Sequence, residues 1–315
     1  MNRKTWLVLI VIVVALATML AGCKDEDDKK DETPESTEVT PTGIISVGDI
    51  SDNPTEKIAI YQALADYLGS HLAEFGIGAG EVRIAPDMPG MAAMLANGQL
   101  DIYFDSPYPA IIVSNQSGAT PVLRRWKGGV EEYHTVIFAR ADSGLASLED
   151  LKGKAVAFDE PFSTSGYLLP RAFLIEAGFT TTEISNPETG VGAEEIGYVF
   201  SGEDQNTIEW VLSGRTAAGV TDHLSYAEIP EETRSQLVIL AETENVPRQL
   251  AVVRPGLDPE LQTAIVQLLM SLDEAEGGAE ILQQAEETAQ FDEFPQGTDA
   301  ALARMRELVA LVEGS

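Results

Sequence analysis

A run of small hydroxyl residues at positions 163–165, followed by Gly166, has the residue types of an anion-binding site. The run lies between an apolar segment at 154–158, which predicts a buried strand, and an apolar helical pattern at 167–177. Backbone N–H groups in the first turn of a helix lack partners and carry a partial positive charge. Together with the hydroxyl donors, they predict a site for a tetrahedral oxyanion. The same residues are typical of an ordinary helix cap, and the local sequence leaves both interpretations open.

A catalytic role for these hydroxyls is less well supported than a binding role. A serine nucleophile needs a base within reach, which would require Ser163 or Ser165 to meet His134 and Asp222. The sequence contains no Gly-x-Ser-x-Gly elbow. Three scattered histidines and one cysteine do not form a metal-binding motif. We therefore expect a binding protein that is not an enzyme and that uses neither a metal nor a cofactor.

Alternating strand and helix patterns must position these residues. Apolar strand runs alternate with helical patterns from Gly43 onward, and the alternation starts again after Ser143. This order predicts an α/β fold with parallel sheet, in which ligands bind at the carboxyl ends of the strands. The glycine-rich stretch at 76–80 is predicted to be a connecting turn before a strand at 82–85.

The charge of the chain limits its partners. The 315 residues carry a formal net charge of −31, and 44% of them are hydrophobic, which is enough for a real core. A protein this acidic is a poor partner for nucleic acid or for an anionic membrane surface. An anion site in such a protein must therefore work through short-range dipoles and hydrogen bonds.

The N-terminus predicts export and attachment to a membrane. Two basic residues, Arg3 and Lys4, precede an apolar run at 6–20, which is typical of a secretory signal. Residues 20–23 resemble the bacterial lipobox, which implies a signal peptide at 1–22 and lipidation of Cys23. The charged, proline-containing stretch at 23–42 is predicted to be a disordered acidic tether. The alternative is an uncleaved anchor helix; in both cases the body of the protein lies outside the cytoplasm.

Longer stretches of the chain resemble a known family of binding proteins. Residues 143–158 resemble periplasmic binding proteins whose chain crosses twice between two lobes. Residues 133–137, followed by 161–170, are similar to the phosphate/phosphite/phosphonate-binding family of ABC transporters. The resemblance covers about residues 43–295. It implies a two-lobe periplasmic binding protein type II fold with a hinge and a central ligand cleft, with lobe one at 43–138 plus 246–315 and lobe two at 139–245.

The resemblance also implies a set of ligand-binding residues. In this family the Ser-Thr-Ser segment and its N–H groups hold the phosphonate oxygens, and the loops after the lobe-one strands complete the pocket. The expected binding residues are Ser163, Thr164, Ser165, Gly166, Tyr108, Asp105, Ser106, His134, Asp222 and Met88. Three further loop residues are expected beside them: Asp49, Ser51 and Asp87.

The expected pocket rim is more acidic than the family pattern. Met88 replaces an aromatic residue, Asp105 follows the third strand, and Glu203-Asp204 stands where the family has His-Glu. Asp105 and Asp222 would repel bare phosphate, whereas a zwitterion would place its ammonium on the carboxylates and its phosphonate on the helix N-terminus. An aminoalkylphosphonate fits this description. Loop capping is the alternative role for both aspartates, and a backbone-bonded hinge histidine is the alternative for His134.

The resulting functional hypothesis is a monomeric solute-binding lipoprotein of an ABC importer. It would capture a phosphonate-type oxyanion between its lobes and deliver it to a membrane permease. Two alternatives remain open at this stage: a ligand-sensing lipoprotein of the same fold, and a binder of another small anionic or zwitterionic metabolite.

Overall fold

The computed structural model describes residues 41–315. The predicted signal peptide, the lipidation site at Cys23 and nearly all of the predicted tether lie outside the described residues and stay predictions. Among the helices from residue 41 onward, none has the length and hydropathy that crossing a membrane requires.

Strands and helices alternate along most of the described chain. The strands are β1 (Gly43–Ile50), β2 (Ile77–Ala85), β3 (Ile102–Asp105), β4 (Thr120–Arg125), β5 (Glu132–Tyr133), β6 (Thr135–Arg140), β7 (Ala155–Phe158), β8 (Thr180–Glu183), β9 (Glu195–Phe200), β10 (Ala218–Asp222), β11 (Leu237–Glu242), β12 (Val246–Pro247), β13 (Gln249–Val253) and β14 (Phe291–Asp292). The α-helices are α1 (Pro54–His71), α2 (Met88–Ala96), α3 (Pro107–Ser117), α4 (Leu169–Glu176), α5 (Asp204–Leu212), α6 (His223–Glu228), α7 (Glu231–Arg234), α8 (Pro259–Met270), α9 (Gly278–Gln284) and α10 (Thr298–Glu313).

Two six-stranded sheets form the cores of two lobes. The sheet of lobe one has the order β14-β4-β13-β3-β1-β2, and the sheet of lobe two has the order β11-β6-β10-β7-β9-β8. Both are mixed, so the prediction of parallel sheet is wrong for part of each: β13 runs antiparallel to β3 and β4, and β6 runs antiparallel to β10 and β11. Strands β6 and β13 each begin at the hinge and run away from it, whereas β1 and β3 run toward the cleft and end there. The two sets of strands therefore point in opposite directions.

The hinge is a two-stranded ribbon made by the two chain crossings. β5 and β12 pair antiparallel, with Val246 opposite Tyr133. The whole of β6 belongs to the second sheet, and the expected boundary between the lobes at residues 138 and 139 stays a prediction.

Helix α10 packs on both lobes, although its sequence position falls in the expected lobe one. Its buried apolar residues share one cluster with α3, the hinge and α4: Tyr108, Ile111, Tyr133, Leu168, Leu169, Ala172, Val246, Met305, Leu308, Val309 and Val312. At the surface, Arg304 lies 2.8 Å from Glu176 of α4 and 2.7 Å from Glu244. The C-terminal helix is therefore a third connection between the lobes.

The glycine-rich stretch at 76–80 is mostly strand, which corrects the prediction of a turn. β2 begins at Ile77, directly after Gly76, whose φ is 74°. A Cβ on Gly80 would lie 1.9 Å from the carbonyl oxygen of Ala65 in α1. The glycine is therefore required by close packing of α1 on β2, a tertiary contact that the local pattern does not reveal.

Candidate functional site

A cleft of about 520 Å³ is bordered by loops from both lobes. Lobe one provides residues at the carboxyl ends of β1, β2 and β3, together with the more distant side chains of Lys57, Lys127 and Gln249. Lobe two provides Glu160 and Phe162 from the loop after β7. The lining residues are Asp49, Ile50, Ser51, Asp52, Lys57, Pro86, Asp87, Met88, Pro89, Asp105, Lys127, Glu160, Phe162 and Gln249. Carboxylates outnumber ammonium groups in this lining. Of the acidic residues expected at the rim, Asp105 lies in it, whereas Glu203, Asp204 and Asp222 do not.

Two lysines, both missed by sequence reasoning, give the cleft its cations. Lys57 Nζ lies 2.7 Å from Asp49 Oδ2 and 2.5 Å from Glu286 Oε1, and Lys127 Nζ lies 3.2 Å from the same Glu286 oxygen. Burial alone would lower the pKa of Lys57, but the charges of Asp49 and Glu286 raise it above its ordinary value. A sequence signal existed, because a lysine in the first turn of α1 opposes the helix dipole and needs a carboxylate partner.

The carboxyl group of Asp105 lies in the cleft wall at the end of β3. It accepts hydrogen bonds from the Tyr103 hydroxyl and from the Ser106 backbone N–H. Burial, and after it the charge of Asp49, raises the pKa of Asp105 to about 7. The group therefore titrates near neutral pH and gains a full charge most readily when a cation lies beside it.

The Ser-Thr-Ser segment meets the start of α3 across the lobes. The buried Thr164 hydroxyl accepts a hydrogen bond from the Tyr108 N–H and donates one to Ser106 Oγ, both at 2.9 Å. Ser163 Oγ accepts from the Gly166 N–H at 2.9 Å, which is the capping geometry that the sequence left open. The structure thus brings these predicted site residues together, with protein partners for the hydroxyls of Ser163 and Thr164.

The neighbours of the segment have structural partners as well. A single π-helical turn, Thr164–Leu168, replaces the start of the predicted helix and leads into α4. The Ser165 carbonyl oxygen accepts from the Thr135 hydroxyl at 2.7 Å. A Cβ on Gly166 would lie 2.3 Å from the Cβ of Asp159, so close packing alone requires this glycine. The Tyr108 hydroxyl donates to Glu313 of α10 at 2.7 Å.

His134 and Asp222 lie outside the lining of the 520 Å³ cleft. The His134 ring stacks on that of His223, with centroids 4.3 Å apart, and its Nδ1 lies 2.8 Å from Asn245 Oδ1. Asp222 caps α6 by accepting from the N–H groups of Leu224 and Ser225, as the capping alternative predicted. A ligand role for either residue stays a prediction.

A second group of carboxylates lies in lobe two beside the Ser-Thr-Ser segment. Burial, followed by the charges of Asp204 and Glu160, raises the pKa of Asp159 to about 7. Burial also raises the pKa of Asp204, whose Oδ1 accepts from the Thr221 hydroxyl at 2.6 Å. Asp159 was absent from the predicted site, although it ends the strand run that was used to find that site. Crowded carboxylates of this kind favour a cationic group between them.

Two α/β lobes joined by a double crossing, with a polar cleft between them, define the class of solute-binding proteins. The sequence profile of one family, described as "ABC transporter, phosphonate, periplasmic substrate-binding protein", matches residues 49–300. The chain therefore belongs to this family, as its sequence motifs predicted. The family consists of substrate-binding proteins and not of enzymes, in agreement with the sequence analysis.

Individual relatives are similar over most of the chain. The phosphate-import protein PhnD of Mycolicibacterium smegmatis is 30% identical over 215 residues, which are 67% of this chain and 64% of that relative's length. The structure of XAC2383 from Xanthomonas citri, solved with chloride and with ATP, is 26% identical with a TM-score of 0.79 and covers 86% of this chain and 98% of its own. PhnD1 of Prochlorococcus marinus, in complex with methylphosphonate, has a TM-score of 0.63 at 17% identity and covers 86% of this chain and 98% of its own. These similarities confirm the predicted two-lobe type II fold.

Proposed function

We propose that this protein is the extracytoplasmic solute-binding lipoprotein of an ABC importer and that it captures an aminoalkylphosphonate between its lobes. The observation that carries the ligand class is the charge pattern of the cleft region. Burial, and after it the charge of a neighbouring carboxylate, raises to about 7 the pKa of Asp105, in the cleft wall, and that of Asp159, beside the Ser-Thr-Ser segment. A ligand ammonium supplies a counter-charge, while the phosphonate end takes the N–H groups and cations of the same region.

Capture follows from closure of the hinge. A ligand that contacts both lobes stabilises the closed form by its differential contacts with the two states. The contact of Thr164 with the start of α3 joins the lobes in the same way and favours closure further. The closed protein, held at the membrane by the lipid on Cys23, then presents its ligand to a permease.

Inorganic phosphate is the second candidate ligand. The Mycolicibacterium smegmatis relative carries the name phosphate-import protein, and Lys57 and Lys127 in the cleft are cations that suit a simple oxyanion. The two candidates differ in their need for an ammonium group, so they can be separated by one set of ligands.

A thermal-unfolding panel on the full-length protein tests the proposal. The panel contains phosphate, sulfate, methylphosphonate, 2-aminoethylphosphonate and several amino acids. A ligand at about 100 times its Kd adds roughly 2.7 kcal/mol of stability, which raises the unfolding midpoint by several degrees. We expect 2-aminoethylphosphonate to give the largest shift. An equal shift with phosphate favours the second candidate, and no shift with any phosphorus oxyanion contradicts the proposal.

A further inference from the structure

Arg248 lies in the return crossing of the hinge, between β12 and β13. Its backbone N–H donates to the Glu131 carbonyl oxygen at 2.9 Å, which ties one crossing to the other. Its side chain stacks on Tyr133 of β5, with the guanidinium carbon 4.4 Å from the ring centroid. The side chain therefore lies at the hinge, where the two chain crossings pair.

The guanidinium group of Arg248 has unused hydrogen-bonding capacity. Its Nε is buried and has no hydrogen-bond partner among the residues that the structure describes. Arg124 and Arg125, by contrast, each bond to a carboxylate, from Asp292 and from Glu286. A buried guanidinium N–H without an acceptor is costly, and an arginine offers several donors in a planar fork that matches an oxyanion.

The position of Arg248 connects the Ser-Thr-Ser segment with the cleft. The Tyr133 ring on which it stacks is buried, and burial raises the pKa of its hydroxyl, a rise that the nearby side chains of Thr164 and Ser165 oppose. On the other side, the next residue in the chain, Gln249, lines the cleft.

The charge of Arg248 also acts on groups of both lobes. The pKa of Lys127 in lobe one is lowered mainly by burial and in addition by the Arg248 charge. The pKa of Asp204 in lobe two is raised by burial, and the Arg248 charge opposes that rise. Arg248 thus lies between a lysine of the cleft and the carboxylates of lobe two.

We infer that Arg248 is the cation that binds the phosphonate oxyanion, with the ligand's ammonium directed to the carboxylates of lobe two. The inference rests on the proposed function and deepens it, because it assigns the anionic end of the ligand to a residue of the hinge. It also explains how an acidic protein binds an anion, because one guanidinium group in the hinge supplies a local positive charge that the net charge of the protein does not. Because the arginine is part of a chain crossing, an anion bound to it contacts the element whose conformation sets closure.

Arg248→Gln and Arg248→Lys test the assignment, with Arg215→Gln as the matched control. Arg215 also stacks on an aromatic ring, 4.0 Å from the centroid of Trp210. Neither arginine is among the lining residues of the 520 Å³ cleft, but Arg248 adjoins Gln249, which is, whereas Arg215 is exposed and lies in lobe two away from the hinge. Affinity for 2-aminoethylphosphonate is measured by calorimetry on the full-length protein in detergent. We expect Arg248→Gln to weaken binding by roughly tenfold or more, Arg248→Lys to weaken it less, and Arg215→Gln to leave it unchanged.

A second measurement on the wild-type protein does not depend on the folding of a variant. Hydrogen bonding of the ligand to Arg248 shifts one arginine Nε–H resonance in ¹H–¹⁵N spectra, and that resonance is missing from Arg248→Lys. Wild-type binding without any change at arginine Nε–H groups, or unchanged affinity of a folded Arg248→Gln protein, overturns the assignment and leaves the proposed function standing. Failure of the wild-type protein to bind any phosphonate or phosphate contradicts the proposed function and this assignment with it.

Discussion

The hydroxyl of Thr164, in lobe two, hydrogen-bonds directly to residues of lobe one. It accepts from the Tyr108 N–H at the start of α3 and donates to Ser106 Oγ, and its side chain is almost completely buried. A free N–H at a helix start would be a natural anion site, but here a protein hydroxyl already satisfies it. The side chain of Thr164 therefore stabilises the interface between the lobes.

Replacing this hydroxyl gives a prediction at the scale of one residue. Thr164→Val keeps the shape of the side chain but leaves the Tyr108 N–H and Ser106 Oγ without their partner, so we expect the free energy of unfolding to fall by about 1–3 kcal/mol. Urea denaturation monitored by circular dichroism measures the change. Thr164→Ser is the matched control, because it keeps the hydroxyl and loses only a methyl group. Equal stability of the Val and Ser variants would show that these hydrogen bonds contribute nothing.

Asp159 gives a second prediction, on the pH dependence of stability. Its pKa is raised to about 7 from an ordinary value of 3.8, so its favourable contribution is complete below pH 3.8 and is lost as pH rises through 7. The unliganded wild-type protein should therefore lose stability relative to Asp159→Asn between pH 5 and pH 8. Glu286 does not interfere, because its pKa lies well below its ordinary 4.5 and its effect is confined to more acidic solution.

The measurement is the difference in unfolding free energy between wild-type protein and Asp159→Asn at a series of pH values. The difference also removes the contribution of His223, whose pKa is lowered by burial in both proteins. A difference that is constant with pH would contradict the raised pKa.

At the scale of single residues, the sequence predicted the structural roles of some side chains and not those of others. The capping geometry of Asp222 and Ser163 was readable because it involves neighbours in the chain. The position of Arg248 in the hinge could not be predicted from the local sequence, because its environment is created by the pairing of β5 with β12, which are far apart in sequence. Lys57 lies between these cases: its position in a helix was predictable, but its partner Glu286 was not.

At the scale of elements, α10 contributes to stability through its buried face and far less through its surface ion pairs. Leu308 is buried in the cluster shared with α3, the hinge and α4, whereas Arg304 makes its pairs with Glu176 and Glu244 at the surface. Removal of apolar area from water stabilises a fold strongly, whereas exposed ion pairs are screened by solvent and contribute little.

This contrast predicts different outcomes for two substitutions in the same helix. Leu308→Ala should lower the free energy of unfolding by about 2–5 kcal/mol, because it leaves a cavity where α10 meets both lobes. Arg304→Ala should change it by less than about 1 kcal/mol. Both are measured by urea denaturation at one salt concentration. A larger loss for Arg304→Ala would mean that the surface pairs, and not the apolar face, hold α10 in place.

The predicted elements agree with the structure where local pattern decides them. Strand β7, Ala155–Phe158, is buried and lies within the segment predicted as a buried strand at 154–158. Disagreement occurs where tertiary contacts decide. Gly80 belongs to a strand on which α1 packs closely, and the direction of β13 depends on its return from the other lobe.

At the scale of the whole molecule, the proposed function requires a place for each end of a zwitterion. Lobe one contributes both lysines and carboxylates to the cleft, Asp159 and Asp204 belong to lobe two, and Arg248 lies in the hinge. Family membership predicted the two lobes and the cleft. It did not predict this distribution of charges.

The most direct test compares two ligands that differ only in the ammonium group. Calorimetric titration of the full-length protein at pH 8 gives the Kd of 2-aminoethylphosphonate and that of ethylphosphonate, which has the same phosphonate and carbon chain. We expect 2-aminoethylphosphonate to bind roughly tenfold or more tightly, because its ammonium pairs with carboxylates that are ionised at this pH. Equal or tighter binding of ethylphosphonate would contradict a cleft that recognises both ends of a zwitterion.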